Sequence, residues 1–168
     1  MKTFEKWINE EASDFLNKKR DNSGSRRITE SVYTVQPKSK EELRKIIYDT
    51  IKKEGLNCDL NFIDTSLITD MSSLFAYTMF NGKIDKWDVS NVKYMDFMFE
   101  DSEFNQNISK WDVSNVEMMR FMFYNSKFDR DLSNWDVSKV RFMSHMFDGS
   151  PLESNSPAWY KGINIHNK

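Results

Sequence analysis

The feature that most constrains this chain is a spacing of 24 residues. Trp87, Trp111, Trp135 and Trp159 keep it, as do Met71, Met95, Met119 and Met143. So do Phe75, Phe99, Phe123 and Phe147, and Phe80, Phe104 and Phe128 with Leu152 in the next slot. Leu60, Ile84, Ile108 and Leu132 make an apolar column, and Asp64, Asp88, Asp112 and Asp136 a charged one. A unit this short cannot enclose its own apolar face, so its copies must stack to make a continuous core. Three units are nearly clean, IDKWDVSNVKYMDFMF, ISKWDVSNVEMMRFMF and LSNWDVSKVRFMSHMF. The preceding unit, from Leu60, is degenerate and has Ile63 in the tryptophan slot.

Within a unit the apolar period changes. Ile108, Trp111 and Val113 have the L-x-x-L-x-L spacing of a leucine-rich-repeat strand. Val116, Met119, Met122 and Phe123 then fall at i, i+3, i+6 and i+7, which predicts a helical turn or two, with Ser114 and Glu117 as a capping box. The expected fold class is an α/β repeat solenoid, leucine-rich-repeat-like, of about four strand–helix coils of 24 residues with an N-terminal helical cap. The expected organisation is an N-terminal segment and cap over 1–56, the repeats over 57–150, and a C-terminal cap or tail over 151–168. In the first part, residues 3–20 read as an amphipathic helix with Phe4, Trp7, Ile8, Ala12 and Phe15 on one stripe, and residues 31–36 as a short strand. Ser39 and Glu42 form a capping box before a second stripe, Leu43, Ile46, Ile47 and Ile51, which Gly55 ends.

Composition removes most chemistry. One cysteine, Cys58, excludes a disulfide framework or a cysteine-cluster metal site, and two histidines leave most histidine catalysis without parts. No P-loop, dinucleotide fingerprint or metalloprotease motif occurs, so no catalytic residue, cofactor or metal is expected and the chain is expected not to be an enzyme. The aspartate column lies in D-(V/T)-S, where the carboxylate can accept backbone N–H groups at a corner; calcium is the alternative reading. The methionines read as core, and Cys58 as an ordinary thiol in the cap. A net charge of −2 makes no general case for nucleic acid or an anionic membrane. The charge is uneven, +3 over residues 1–56 and −5 over 57–168. Lys18, Lys19 and Arg20 with Arg26 and Arg27 could touch phosphate, and the acidic repeats could mimic DNA.

The WDVSNV-x-x-M-x-x-MF phrase, with its F-(N/D)-x-(N/D)-(I/L) return, resembles the BspA-like leucine-rich repeat proteins. These are bacterial surface and secreted proteins, also abundant as mycoplasma-type lipoprotein repeats. The resemblance covers roughly residues 57 to 150 and implies a right-handed solenoid used for binding and adhesion, without catalysis. From residues and resemblance together, the expected function is a protein-binding module that presents a rigid surface to a protein partner. Two settings are open: a phage- or mobile-element-encoded inhibitor of a host protein, or a bacterial surface adhesion repeat. The start of the chain, MKTFEKWINEEASDF, shows neither a signal peptide nor a lipid-attachment cysteine, which favours a cytoplasmic setting unless a leader has been removed. The binding candidates are Tyr94, Met118 and Phe142, with Phe97, Phe121 and His145 three residues further on, read as one aromatic strip along the repeats. Lys86, Lys110 and Asn134 make a second, polar candidate surface.

Overall fold

A computed structural model describes residues 35–161. The expected helix over 3–20, the strand over 31–36 apart from its last two residues, and both basic clusters lie outside the described residues. The helix expected after Ser39 forms as α1, Lys40–Glu54. The Ser39 hydroxyl accepts the Glu42 N–H at 3.3 Å, while the Glu42 carboxylate accepts the Lys38 N–H at 2.7 Å. Gly55 ends the helix at φ 90°, its N–H donating to the Ile51 carbonyl. Leu43 and Ile47 point into the core.

The α/β solenoid does not form. Among the described residues the repeats contain neither a helix nor a strand, only turns joined by isolated parallel bridges. The remaining helical pieces, a 3-10 turn at Pro151–Glu153 and α2 at Ala158–Lys161, follow the repeats. The reason is where the N–H groups go. The Val116 N–H donates to Val113, closing a turn, and those of Glu117 and Met118 both donate to Lys93 in the preceding unit. A helix would need these groups for its own carbonyls. Spacings of three and four, read as helical, belong here to successive tight turns.

Each unit is one rung. In the rung from Ile108, turns close from Trp111 N–H to Ile108 (3.1 Å), Val116 to Val113 (2.9 Å) and Tyr124 to Phe121 (3.2 Å). The residues of the Met-x-Phe-x-Phe run join the rungs. The N–H groups of Met95, Phe97, Phe99 and Asp101 donate to Met118, Arg120, Met122 and Tyr124, all at 2.9 Å. The intervening carbonyls of Tyr94, Asp96, Met98 and Glu100 accept from Met71, Ser73, Phe75 and Tyr77. Along this edge every backbone-to-backbone inter-rung N–H therefore points toward the C-terminal end. Two residues per rung sit in the left-handed region to make this possible: Phe97 (φ 59°) and Asp101 (49°), then Phe121 (55°) and Asn125 (51°), then His145 (56°) and Gly149 (72°). Asp, Asn and Gly accept that conformation readily. Phe does not, and the inter-rung bonds must outweigh its strain.

Inside, like packs on like. Phe75, Phe99, Phe123 and Phe147 stack with centroids 5.5–5.8 Å apart. Phe80, Phe104 and Phe128 make a second pile at 6.2 Å. Each fully buried phenylalanine contributes roughly 1.5–3 kcal/mol by leaving water, and ring pairs about 0.5–1.5 kcal/mol beyond that. The indole N–H of Trp87, Trp111, Trp135 and Trp159 donates to Leu60, Ile84, Ile108 and Leu132 of the rung before, at 2.9–3.3 Å.

Candidate functional site

The carboxylates of Asp64, Asp88, Asp112 and Asp136 each accept the N–H two residues on, from Ser66, Ser90, Ser114 and Ser138, at 3.0–3.1 Å. They hold corners, the architectural role expected, although the corner joins turn to turn rather than strand to helix. The Ser114 hydroxyl and N–H hold Asp112 below the usual carboxylate range, and the Ser138 N–H and hydroxyl do the same for Asp136. The methionine column is core, with Met71, Met95 and Met119 fully buried and Met143 nearly so. Cys58 is buried, and burial beside Glu54 pushes its thiol up, away from thiolate chemistry. Among the described residues no group of three or more His, Cys, Asp or Glu comes together to hold a metal ion. No helix of the described residues is long and apolar enough to cross a membrane.

The six strip residues do reach the surface, but as two ridges. Tyr94, Met118 and Phe142 are bridged in parallel from rung to rung. Tyr94 and Phe142 are exposed and Met118 is half-buried. Phe97, Phe121 and His145 form the second ridge, stacked at 5.1 and 4.9 Å with ring planes within 20°. Their left-handed backbone turns them outward while Met95, Met98 and Phe99 turn inward. Between the ridges lies an ion pair. Asp96 is nearly buried and accepts the Arg120 N–H at 2.7 Å and its guanidinium at 2.9 Å. The same guanidinium lies 5.8 Å from the centre of the Phe142 ring, so one cation touches both the pair and the first ridge.

Sequence reasoning missed three parts of this face. Asp96 and Arg120 are opposite charges at the repeat interval, a signal present in the slot Ser72, Asp96, Arg120, Ser144. Tyr124 meets Phe121 edge-on at 5.6 Å, and the exposed Tyr77 has its hydroxyl raised above the ordinary tyrosine range by the Glu100 carboxylate. Both were hidden because their slots vary between units. The His145 ring hydrogen-bonds the Asp148 carboxylate at 2.7 Å, which fixes the last ring of its ridge. The polar candidates Lys86, Lys110 and Asn134 are exposed on the Ile-x-x-Trp turns, on another side of the rung. There the Lys86 N–H donates to Asn61, whose amide donates to Asp85, both at 2.9 Å.

No curated protein and no solved structure matches the chain. A family model does, over residues 42–159, from within α1 to the last tryptophan and so through every rung and both ridges. The chain belongs to the family described as "Mycoplasma protein of unknown function, DUF285".

Proposed function

We propose that the chain is a non-enzymatic protein-binding module whose contact face is the pair of ridges flanking Asp96 and Arg120. The observation that carries this is the stacked row Phe97, Phe121 and His145, in which backbone hydrogen bonds hold Phe97 and Phe121 outward and the Asp148 carboxylate holds the His145 ring. Large aromatic side chains fixed in advance lose little freedom on binding, which is what a hot spot needs. Because the rings cover one another's faces, the ridge offers mainly edges. That suits apolar and backbone groups of a protein better than stacking with a sugar or a base. The Arg120–Asp96 pair adds a charged centre that can fix orientation.

A finer reading, kinship with the BspA-like surface repeat proteins and hence a contact made at a bacterial surface, rests on the WDVSNV-x-x-M-x-x-MF phrase, and the mycoplasma family match is consistent with it. The test is capture of partners by the full chain and by two variants, Phe121→Ser with Tyr94→Ser, and Lys86→Ser with Lys110→Ser. A partner lost with the first variant and kept with the second supports the ridges. Equal capture by a folded first variant removes them.

A further inference from the structure

The one-way ladder leaves the last rung with groups that every earlier rung has paired. In the rung below, the Glu117 carbonyl accepts the Arg141 and Phe142 N–H groups at 2.8 and 3.3 Å. The N–H groups of Met119 and Phe121 donate to Phe142 and Ser144 at 2.8 and 3.0 Å. Moved up one rung, the same positions are the Arg141 carbonyl and the N–H groups of Met143 and His145, for which no described residue supplies a partner. Of the next two donors of the row, the Phe147 N–H also has no described partner, although its ring meets that of Tyr160 with centroids 4.8 Å apart, and the Gly149 N–H donates to the Glu153 carboxylate at 3.0 Å.

The side chains at this end are open too. Val89, Val92, Val113 and Val116 are buried, but Val137 and Val140 in the same columns are only half-covered. Val140 and Phe142 line an open hollow with Glu117, Ser138, Lys139 and Arg141. Beside it the His145 ring ends its stack, with Phe121 beneath and no described ring above.

We propose that this end of the stack is a docking edge for an extended, acidic peptide segment of a partner protein, which takes the place of a further rung. Its N–H groups donate to the Arg141 carbonyl, and two of its carbonyls accept from Met143 and His145, strand addition in the parallel sense. The polarity of the ladder selects the occupant. A second copy presenting the same end would set donor against donor, and its opposite end is covered by α1. Acidity follows from the row itself, since its one outward donor with a described side-chain partner already holds a carboxylate, that of Glu153. It follows also from the rim of the hollow, where Glu117 pairs with Arg141 at 3.8 Å while Lys139, near Asp136, bonds only the neutral Asn115 amide and keeps its charge for a partner. An apolar side chain between the acids would cover Val140 and Phe142. The proposal rests on the backbone ladder and stands apart from the ridges.

The test is amide exchange in the full chain, resolved by residue, with a synthetic pentapeptide alternating Asp and Phe and a control alternating Lys and Phe. The acidic peptide is expected to slow exchange at Met143 and His145 by about tenfold or more, leaving Met119 and Phe121, protected already, unchanged. The folded double variant Lys139→Glu with Arg141→Glu is expected to lose most of that protection. Three results would overturn the proposal: no protection, equal protection by the lysine peptide, or amides of Met143 and His145 already protected in the chain alone.

Discussion

The two ends of the stack meet the same problem in opposite ways. At the first rung, α1 lays Leu43 and Ile47 on the core, Lys40 pairs with Asp70 at 3.0 Å, and Arg44 donates to the Ser73 carbonyl. Val35 bridges Ile63 and accepts the Asp64 N–H at 2.8 Å. The degenerate residues of that rung are fitted to this neighbour: Ile63 fills the tryptophan slot without exposure, and Thr65, in the valine column, donates its hydroxyl to Asp88. The last rung keeps the repeat's own residues. It is covered on one side, by Leu152, Trp159 and Tyr160, and left half-open over Val137 and Val140. Degeneracy at one end is therefore a record of closure, and fidelity at the other leaves an edge that can still pair.

Four tests bear on that contrast. Phe123 has a ring of its own column on each side, and Phe123→Ala should cost about 3–5 kcal/mol in urea unfolding. A loss under about 1 kcal/mol would mean that the rungs do not share one core. Near the first end, a Cβ at Gly82 would lie 2.1 Å from the Cys58 carbonyl and 2.6 Å from the Phe80 ring. Gly82→Ala should destabilise by roughly 2 kcal/mol, since backbone has to yield. A neutral Gly82→Ala would show that this end is looser than described. Matched changes compare interior with edge: Val116→Thr should cost about 1–3 kcal/mol for a buried hydroxyl, and Val140→Thr under about 0.5 kcal/mol. Equal costs would show that Val140 is covered in solution.

The smallest effect is acid sensitivity. Burial pushes the Asp70 carboxyl up, but its bonds from Ser72 and Lys40 outweigh that and leave it below the ordinary range. Asp112, Asp131 and Asp136 are likewise lowered by their serines. A lowered carboxylate stabilises the fold fully above its unfolded value, about pH 4, and loses that contribution as pH falls through its folded value. Melting temperature should therefore hold from pH 7 to about 5 and decline below about 4. Asp70→Asn should flatten the decline, and an unchanged decline would put the acid-sensitive contacts elsewhere.

Much of this was legible in the chain. The tryptophan, methionine and phenylalanine columns gave the rungs and their core, because a stacked repeat sets like residues above like. The helix after Ser39 carried its own caps. The form of the rung was not legible, because Val116, Met119, Met122 and Phe123 have one spacing whether they wind as helix or step through turns. The deciding fact is that the Glu117 N–H looks to another rung, and apolar spacing does not encode this. The split of the strip into two ridges was hidden for a related reason. Position 97 is left-handed, and only its companion slot, Asp101, Asn125 and Gly149, has residues that advertise that backbone.

The repeat interval also bears on how such a chain changes length. Excising residues 97–120 would join Asp96 to Phe121, and every downstream column would return to register one storey lower. The molecule would be shorter by one inter-rung step, roughly 4.8 Å, with both ends unchanged. Duplication of the same stretch would lengthen it by as much. Reach is thus adjustable in whole steps, through a single recombination within the gene and with no new packing to be invented.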